Sequence, residues 1–202
     1  MSIKLAFVGD IHGNLRPLQG LWDALIRRNV PHVIFLGDYI NKGAQSAEVM
    51  HELMSHAEAG HATLLAGNHE TALLNALDGQ DLSGFLKMGG AATIRSYVGG
   101  PVAPDVLGDF RRSLPQAHLE ALRRMGPAYE TEDLVAQHTA SRSTAAKFRI
   151  SAHVSVGDLP RIGHRSAQLD TGCGTVSGRL TALLWPGLDY IQVDNQGALV
   201  TS

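Results

Sequence analysis

The sequence predicts an α/β fold, a four-layer α/β/β/α sandwich of two mixed β-sheets flanked by helices. Three observations predict it. The first seventy residues alternate short apolar runs with helix-periodic stretches, the rhythm of βαβ units and a parallel sheet. Each of those apolar runs ends on a glycine followed by a polar residue. From Tyr129 onward, short apolar runs follow one another with little helix between, which reads as a second, largely antiparallel sheet.

The elements follow in order. Residues 3–8 form a first strand that ends at Gly9-Asp10. Leu15, Leu18, Leu21, Leu25 and Ile26 then recur at helical spacing on one face. Residues 32–36 form a second strand ending at Gly37-Asp38, followed by a helix over 45–59. Residues 62–66 form a third, ending at Gly67-Asn68-His69. Residues 70–125 read as mostly helical, divided at Gly89-Gly90, Gly99-Gly100-Pro101 and Pro104. Pro115 precedes an amphipathic packing helix over 116–125. Later strands fall at 133–137, 148–156, 166–170, 179–185 and 190–193. With no linker or low-complexity tract, residues 1–202 read as a single domain.

Composition narrows the function classes. A chain of 202 residues buries about 70% of its unfolded surface and needs no disulfide staples. Seventeen Lys and Arg against nineteen Asp and Glu give a net charge of −2, without the basic excess of a nucleic-acid or anionic-membrane binder. No apolar run approaches the ~18–20 residues of a membrane span, and the N-terminal run is too short for a signal-peptide core. The single Cys173 fits a reducing compartment, so a cytoplasmic location is expected. Cys173 reads as a packed residue and not a nucleophile. His51, His56, His61 and His118 fall on or beside helices and are expected to be exposed.

The polar clusters at the strand ends carry the chemistry. Asp38 follows Asp10 by 28 positions and Asn68 follows Asp38 by 30, about one βαβ unit each time. Equal phase places Asp10, Asp38 and Asn68 at the carboxyl edge of neighbouring parallel strands, where open α/β sheets bind ligands. Carboxylates and imidazoles suit divalent metal ions. A lone Gly-Asp after a strand is ordinary turn chemistry. Three in-phase clusters that include Asp10-Ile11-His12 and Asn68-His69 point to a metal site.

Gly9-Asp10-Ile11-His12-Gly13, Gly37-Asp38-Tyr39-Ile40-Asn41-Lys42-Gly43 and Gly67-Asn68-His69-Glu70, in this order, resemble the calcineurin-like metallophosphoesterases. More narrowly they are similar to the phosphoprotein phosphatase family, whose small bacterial members are Ser/Thr phosphatases or bis(5′-nucleosyl)-tetraphosphatases. Phe85 to Tyr97, Gln137-His138-Thr139-Ala140, Leu169 to Cys173 and Gly178 to Leu183 extend the resemblance over most of the chain. It implies a cofactor of two divalent ions, manganese first and iron or zinc as alternatives. Asp10 and His12 would hold one ion, Asp38 would bridge, and Asn68, His138 and His153 would complete the other. His164 is the second candidate for the last ligand. His153 is preferred because it follows a strand-like run and leaves room for a loop before Asp170-Thr171-Gly172. His69 would be the general acid, Lys42 would clamp phosphate, and Asn68 would also contact substrate. The implied reaction is hydrolysis of phosphomonoesters or bis(5′-nucleosyl)-tetraphosphate-type anhydrides by a metal-activated hydroxide. The implied partner is a phosphorylated protein or small molecule, with no nucleic acid or membrane.

Three departures from that pattern stand out. Lys42 replaces an arginine, and a lysine neutralises phosphate without a two-pronged grip. Asn41 replaces the aspartate that orients the histidine; an amide carbonyl still accepts from imidazole, but without charge. The span 139–152 replaces a longer cap, which implies a shallow, open site and disfavours a dinucleotide. Within it, Arg142 is expected either as a surviving phosphate contact or as a solvated loop charge, and Arg149 is a further basic candidate. Two readings follow, with a phosphodiesterase on the same fold as an enzymatic rival. The first is an active phosphoesterase; the second is a retired one that binds phosphate or nucleotide as a regulatory module.

Overall fold

The apolar runs form strands where the sequence places them, but they are partnered differently in the second half. The structure, a computed structural model, describes residues 5–79, 81–140 and 146–200. The first half runs β1 (Leu5–Val8), α1 (Leu15–Arg27), β2 (Val33–Phe35), α2 (Ser46–Glu58), β3 (Ala62–Leu64) and α3 (Asn68–Gly79). A helical stretch follows as α4 (Ser83–Lys87), α5 (Gly90–Val98), α6 (Val106–Ser113) and α7 (Gln116–Arg124). The strands β4 (Ala128–Glu130), β5 (Leu134–Gln137), β6 (Phe148–Ser151), β7 (Arg161–Ile162), β8 (Ser166–Gln168), β9 (Leu180–Trp185) and β10 (Asp189–Val193) complete the order.

Two mixed five-stranded sheets result, ordered β10-β9-β1-β2-β3 and β4-β5-β6-β8-β7. β1 pairs in parallel with β2, and β2 with β3. The largely antiparallel second sheet expected from the sequence is corrected in two ways. First, its three central strands β5, β6 and β8 are parallel, and only the edge strands β4 and β7 are antiparallel. Parallel neighbours need long crossover connections, and the connections between these strands are far longer than a two-residue hairpin. Second, β9 and β10 join the first sheet, with β9 antiparallel to β1. The near-continuous apolar run of β9 suits a strand covered on both faces.

Strand alternation divides the buried side chains between two cores. Phe7, Ile34 and Leu183 meet Leu134, Ala136, Ile150 and Ala167 between the sheets. Ala6, Val8, Val33 and Phe35 point the other way, into a larger core. Helices flank the sheets on that side: among the described residues, all seven supply the larger core and none supplies the core between the sheets. Among the described residues no helix follows β4, and Val135, Gln137, Ser166 and Gln168 of the second sheet stay half-buried.

Two expectations about histidines are corrected here. His118 is buried, because Tyr97 from α5 reaches it with its hydroxyl at 2.9 Å. His56 is half-buried, stacked on Trp22 with ring centroids 3.6 Å apart. No helix among the described residues is long and apolar enough to cross a membrane.

Candidate metal centre

The candidate ligands sit where parallel strands end. Asp10 and His12 follow β1, Asp38 to Lys42 follow β2, and Asn68 and His69 open α3 after β3. His138 follows β5, and His153 lies just past β6. Both sheets therefore deliver side chains from their carboxyl edges to one place. The turns are tight: His12, Asp38, Asn41, Lys42 and His153 all have positive φ, between 49° and 72°. Non-glycine residues hold that conformation only where the surroundings enforce it. At Gly37, φ is 106° and a Cβ would lie 2.5 Å from the Gly67 nitrogen, so only glycine lets the two loops meet.

Glu70 ties those loops together. It is fully buried, and its Oε2 accepts from the N–H groups of Asp38 (2.8 Å) and Gly67 (2.9 Å). Its Oε1 accepts from the Tyr39 N–H at 2.9 Å. Burial, followed by the neighbouring Asp38 charge, pushes its carboxyl up to about 7. Sequence reasoning gave Glu70 no role, although its place in the first turn of α3 was visible.

The imidazoles are aimed by backbone carbonyls. His12 Nδ1 donates to the Ile40 carbonyl at 3.2 Å, which leaves Nε2 facing Asp10 Oδ2 (3.6 Å) and Asp38 Oδ2 (3.9 Å). His138 Nδ1 lies 3.1 Å from the Leu36 carbonyl, and its Nε2 faces Asn68 Oδ1 (2.7 Å), His153 Nδ1 (3.0 Å) and Asp38 Oδ1 (3.3 Å). His153 Nδ1 is 2.8 Å from Asn68 Oδ1. Two groups of ligand atoms emerge, His12–Asp38–His69 and Asp38–His138–His153, with Asp38 in both. Asp10 is 2% exposed, and its buried Oδ2 has no hydrogen-bond partner among the described residues. An orphaned buried carboxylate oxygen among imidazoles is a donor set that a divalent cation satisfies.

Residues 3–166 match the calcineurin-like phosphoesterase family. The chain belongs to this family. It is similar to the symmetrical bis(5′-nucleosyl)-tetraphosphatase of Ralstonia nicotianae, at 33% identity over 59% of this chain and 39% of that protein. The asymmetrical bis(5′-nucleosyl)-tetraphosphatase PrpE of Halalkalibacterium halodurans is 24% identical over 98% of this chain and 97% of its own length. The fold matches the crystal structure of a candidate diadenosine tetraphosphatase, with a TM-score of 0.68, 19% identity, and 96% and 94% of the two chains covered.

The chain thus belongs to a family of phosphoesterases that use divalent metals, and its His and Asp groups suit such ions. The electrostatics keep His12 and Asp38 in their lone-pair-donating forms, while without a cation Asp10 is pushed toward its protonated form. Burial, then the Lys42 ammonium 2.8 Å from Nε2, push His12 down to about 4 and keep it neutral. Burial, then the charges of Asp38 and Asp170, hold the Asp10 carboxyl well above its usual range. For Asp38, burial acts upward, but His138, His69 and His12 together outweigh it, and the carboxyl lies below its usual range.

Two sequence readings meet the geometry differently. His164 is exposed in the turn between β7 and β8 and belongs to neither ligand group, whereas His153 belongs to one. Asn41 contradicts expectation: its amide nitrogen, not its carbonyl, faces His69 Nδ1 at 2.7 Å, because the Thr93 hydroxyl claims the carbonyl at 2.7 Å. Cys173 is buried, and burial followed by Asp10 and Asp170 pushes its thiol up to about 12, as a packed residue requires. Arg142 lies outside the described residues.

Grooves open to solvent flank the candidate centre. Strand β6 takes residues 148–151 of the span 139–152 expected as a reduced cap. A groove of about 650 Å³ still leaves the centre past Asn68 and His138, between Thr71, Asn75, Met88 and Gln137. A second, of about 210 Å³, lies beside His12 and Lys42. The first has walls from α3 and β5, elements that the cap argument did not count.

Proposed function

We propose that the chain is a binuclear metal-dependent phosphoesterase acting on anhydrides of the bis(5′-nucleosyl)-tetraphosphate kind, with phosphomonoesters as simpler substrates. The observation that carries this reading is the sharing of Asp38 by two groups of ligand atoms. Asp10, His12 and Asp38 would hold one ion; Asp38, Asn68, His138 and His153 would hold the other. Bound divalent ions supply Lewis-acid charge to a phosphate oxygen and lower the pKa of water.

This chain's residues do the rest. Lys42 neutralises a phosphate oxygen as a point charge. His69 Nε2, 3.6 Å from Asp38 Oδ2, lies at the centre and gives its proton to the leaving oxygen. The near-full-length similarity to PrpE and the grooves on two sides of the centre support a substrate with organic groups beyond its phosphates.

The test is metal analysis with a substrate panel in Mn²⁺: diadenosine tetraphosphate, a phosphoserine peptide, an aryl phosphate and an aryl diester. Two equivalents of metal and the highest kcat/KM on diadenosine tetraphosphate are expected. A single equivalent overturns the binuclear reading. Preference for the phosphopeptide moves the assignment to a protein phosphatase, and preference for the diester to a phosphodiesterase. Metal binding without turnover of any substrate moves it to the regulatory module that the Asn41 and Lys42 replacements first suggested.

A further inference from the structure

Thr93 lies on α5, far in sequence from every candidate ligand, and is completely buried, as are Ser46 and Asn41. The three form a closed network. The Asn41 N–H donates to Thr93 Oγ1 at 2.8 Å and to Ser46 Oγ at 3.2 Å. Ser46 Oγ and Thr93 Oγ1 are 3.0 Å apart. Thr93 Oγ1 donates to Asn41 Oδ1, and Asn41 Nδ2 meets His69 Nδ1.

We infer that Thr93 and Ser46 are positioning residues that aim the Asn41 amide nitrogen at His69 Nδ1, so that His69 carries its proton on Nε2. The inference deepens the proposed phosphoesterase reading and rests on it for its kinetic consequence alone. Hydroxyl protons decide the direction. Ser46 has one proton and gives it to Thr93; Thr93 has one and gives it to the Asn41 carbonyl; the Asn41 amide then has a donor left for His69. Reversing the amide would make Thr93 accept from both Asn41 nitrogens and donate to Ser46. The buried Ser46 proton would then have no acceptor among the described residues, an arrangement that native interiors avoid. A nitrogen that accepts from an amide is unprotonated, so the ring proton sits on Nε2, the atom facing Asp38 Oδ2. An Nε2–H has no lone pair for a metal. The network therefore keeps His69 from acting as a ligand beside His12 and Asp38 and presents its Nε2–H as a hydrogen-bond donor to a substrate or leaving oxygen. An aspartate at position 41 would impose the opposite polarity, accepting from Nδ1–H.

The test combines spectroscopy and kinetics. In metal-stripped protein with ¹⁵N-labelled histidine, above the pH of imidazole titration, His69 should show an unprotonated Nδ1 and a protonated Nε2. Asn41→Asp should move the proton to Nδ1. In the metal-loaded enzyme, Thr93→Val should lower kcat on an alkyl phosphate by at least about tenfold with KM little changed, a fraction of a general acid's usual share. Thr93→Ser keeps the hydroxyl and should stay within about threefold of the parent. A protonated Nδ1 in the parent protein overturns the inference, whether or not the enzyme turns over. Equal losses for Thr93→Ser and Thr93→Val also overturn it, since they would show a packing role. If Thr93→Val does not fold, the parent and Thr93→Ser spectra still decide. Absence of turnover alongside the expected spectra would refute the phosphoesterase reading and leave the network standing.

Discussion

The two sheets hold their halves of the centre in different ways. On the first sheet, Asp38 and its loop are pinned by the Glu70 carboxylate and by the Thr93 and Ser46 hydroxyls, all fully buried. On the second sheet, His138 is held by one backbone carbonyl and otherwise by contacts with the other candidate ligands Asn68, His153 and Asp38, and His153 is exposed. One half is set by hydrogen bonds formed on folding. The other depends more on the ligand that its donors converge on. Metal loss should therefore disturb the second half first, and mutations of the buried network should damage the first half whether metal is present or not.

The largest effect expected is from Glu70→Ala. Three buried N–H groups lose their acceptor at about 1–3 kcal/mol each, so urea unfolding should show a loss on the order of 3 kcal/mol or more. His153→Ala should leave stability nearly intact. Comparable destabilisation by the two would erase the contrast between the halves.

Kinetics come next. His69→Ala should cost about 10²–10⁴-fold in kcat on an alkyl phosphate and much less on an activated aryl phosphate. Equal losses on both would show that His69 binds phosphate or metal and is not the proton donor.

Metal affinity sharpens the contrast further. Asp38→Asn should weaken both ions by at least about 10–100-fold, the scale for losing even an outer partner of a ligand. His153→Ala should weaken one ion only, and His164→Ala neither; elemental analysis and calorimetry read all three. A loss of metal in His164→Ala would reverse the assignment of the last ligand.

The smallest effect lies outside both halves. Burial, then His51, lower the His118 pKa, so the folded state disfavours its charged form. Its stabilising contribution is complete above the unfolded value near ~6.5 and fades as pH falls toward the lowered folded value. His118→Gln should flatten that part of the pH–stability curve, measured by Tm. An unchanged slope would remove His118 from the acid sensitivity of the helical side.

Much of the centre was legible because βαβ units repeat at constant length. That rhythm put Asp10, Asp38 and Asn68 at one edge, and a strand-like run before His153 separated it from His164. The partners were not legible. The Glu70 clip, the Thr93–Asn41 contact across 52 residues, and the direction of the Asn41 amide depend on which loops meet in space. Periodicity reports the face a residue occupies, not the group opposite it. The same limit hid the transfer of β9 and β10 to the first sheet, since their apolar pattern suits either sheet.

The antiparallel seat of β9 beside β1 has a consequence for the order of events during synthesis. The Gly9 N–H, at the root of the Asp10 loop, donates to the Thr181 carbonyl at 3.2 Å. A ribosome that has released residues through His153 has made every candidate ligand, yet β1 still has one bare edge. Its closing partner arrives only with residues 180–185. Pairings between distant parts of a chain form slowly, and open strand edges invite other chains in the meantime. Ions offered before β9 pairs would meet a half-anchored Asp10 loop, so metal loading is expected to follow the β1–β9 pairing.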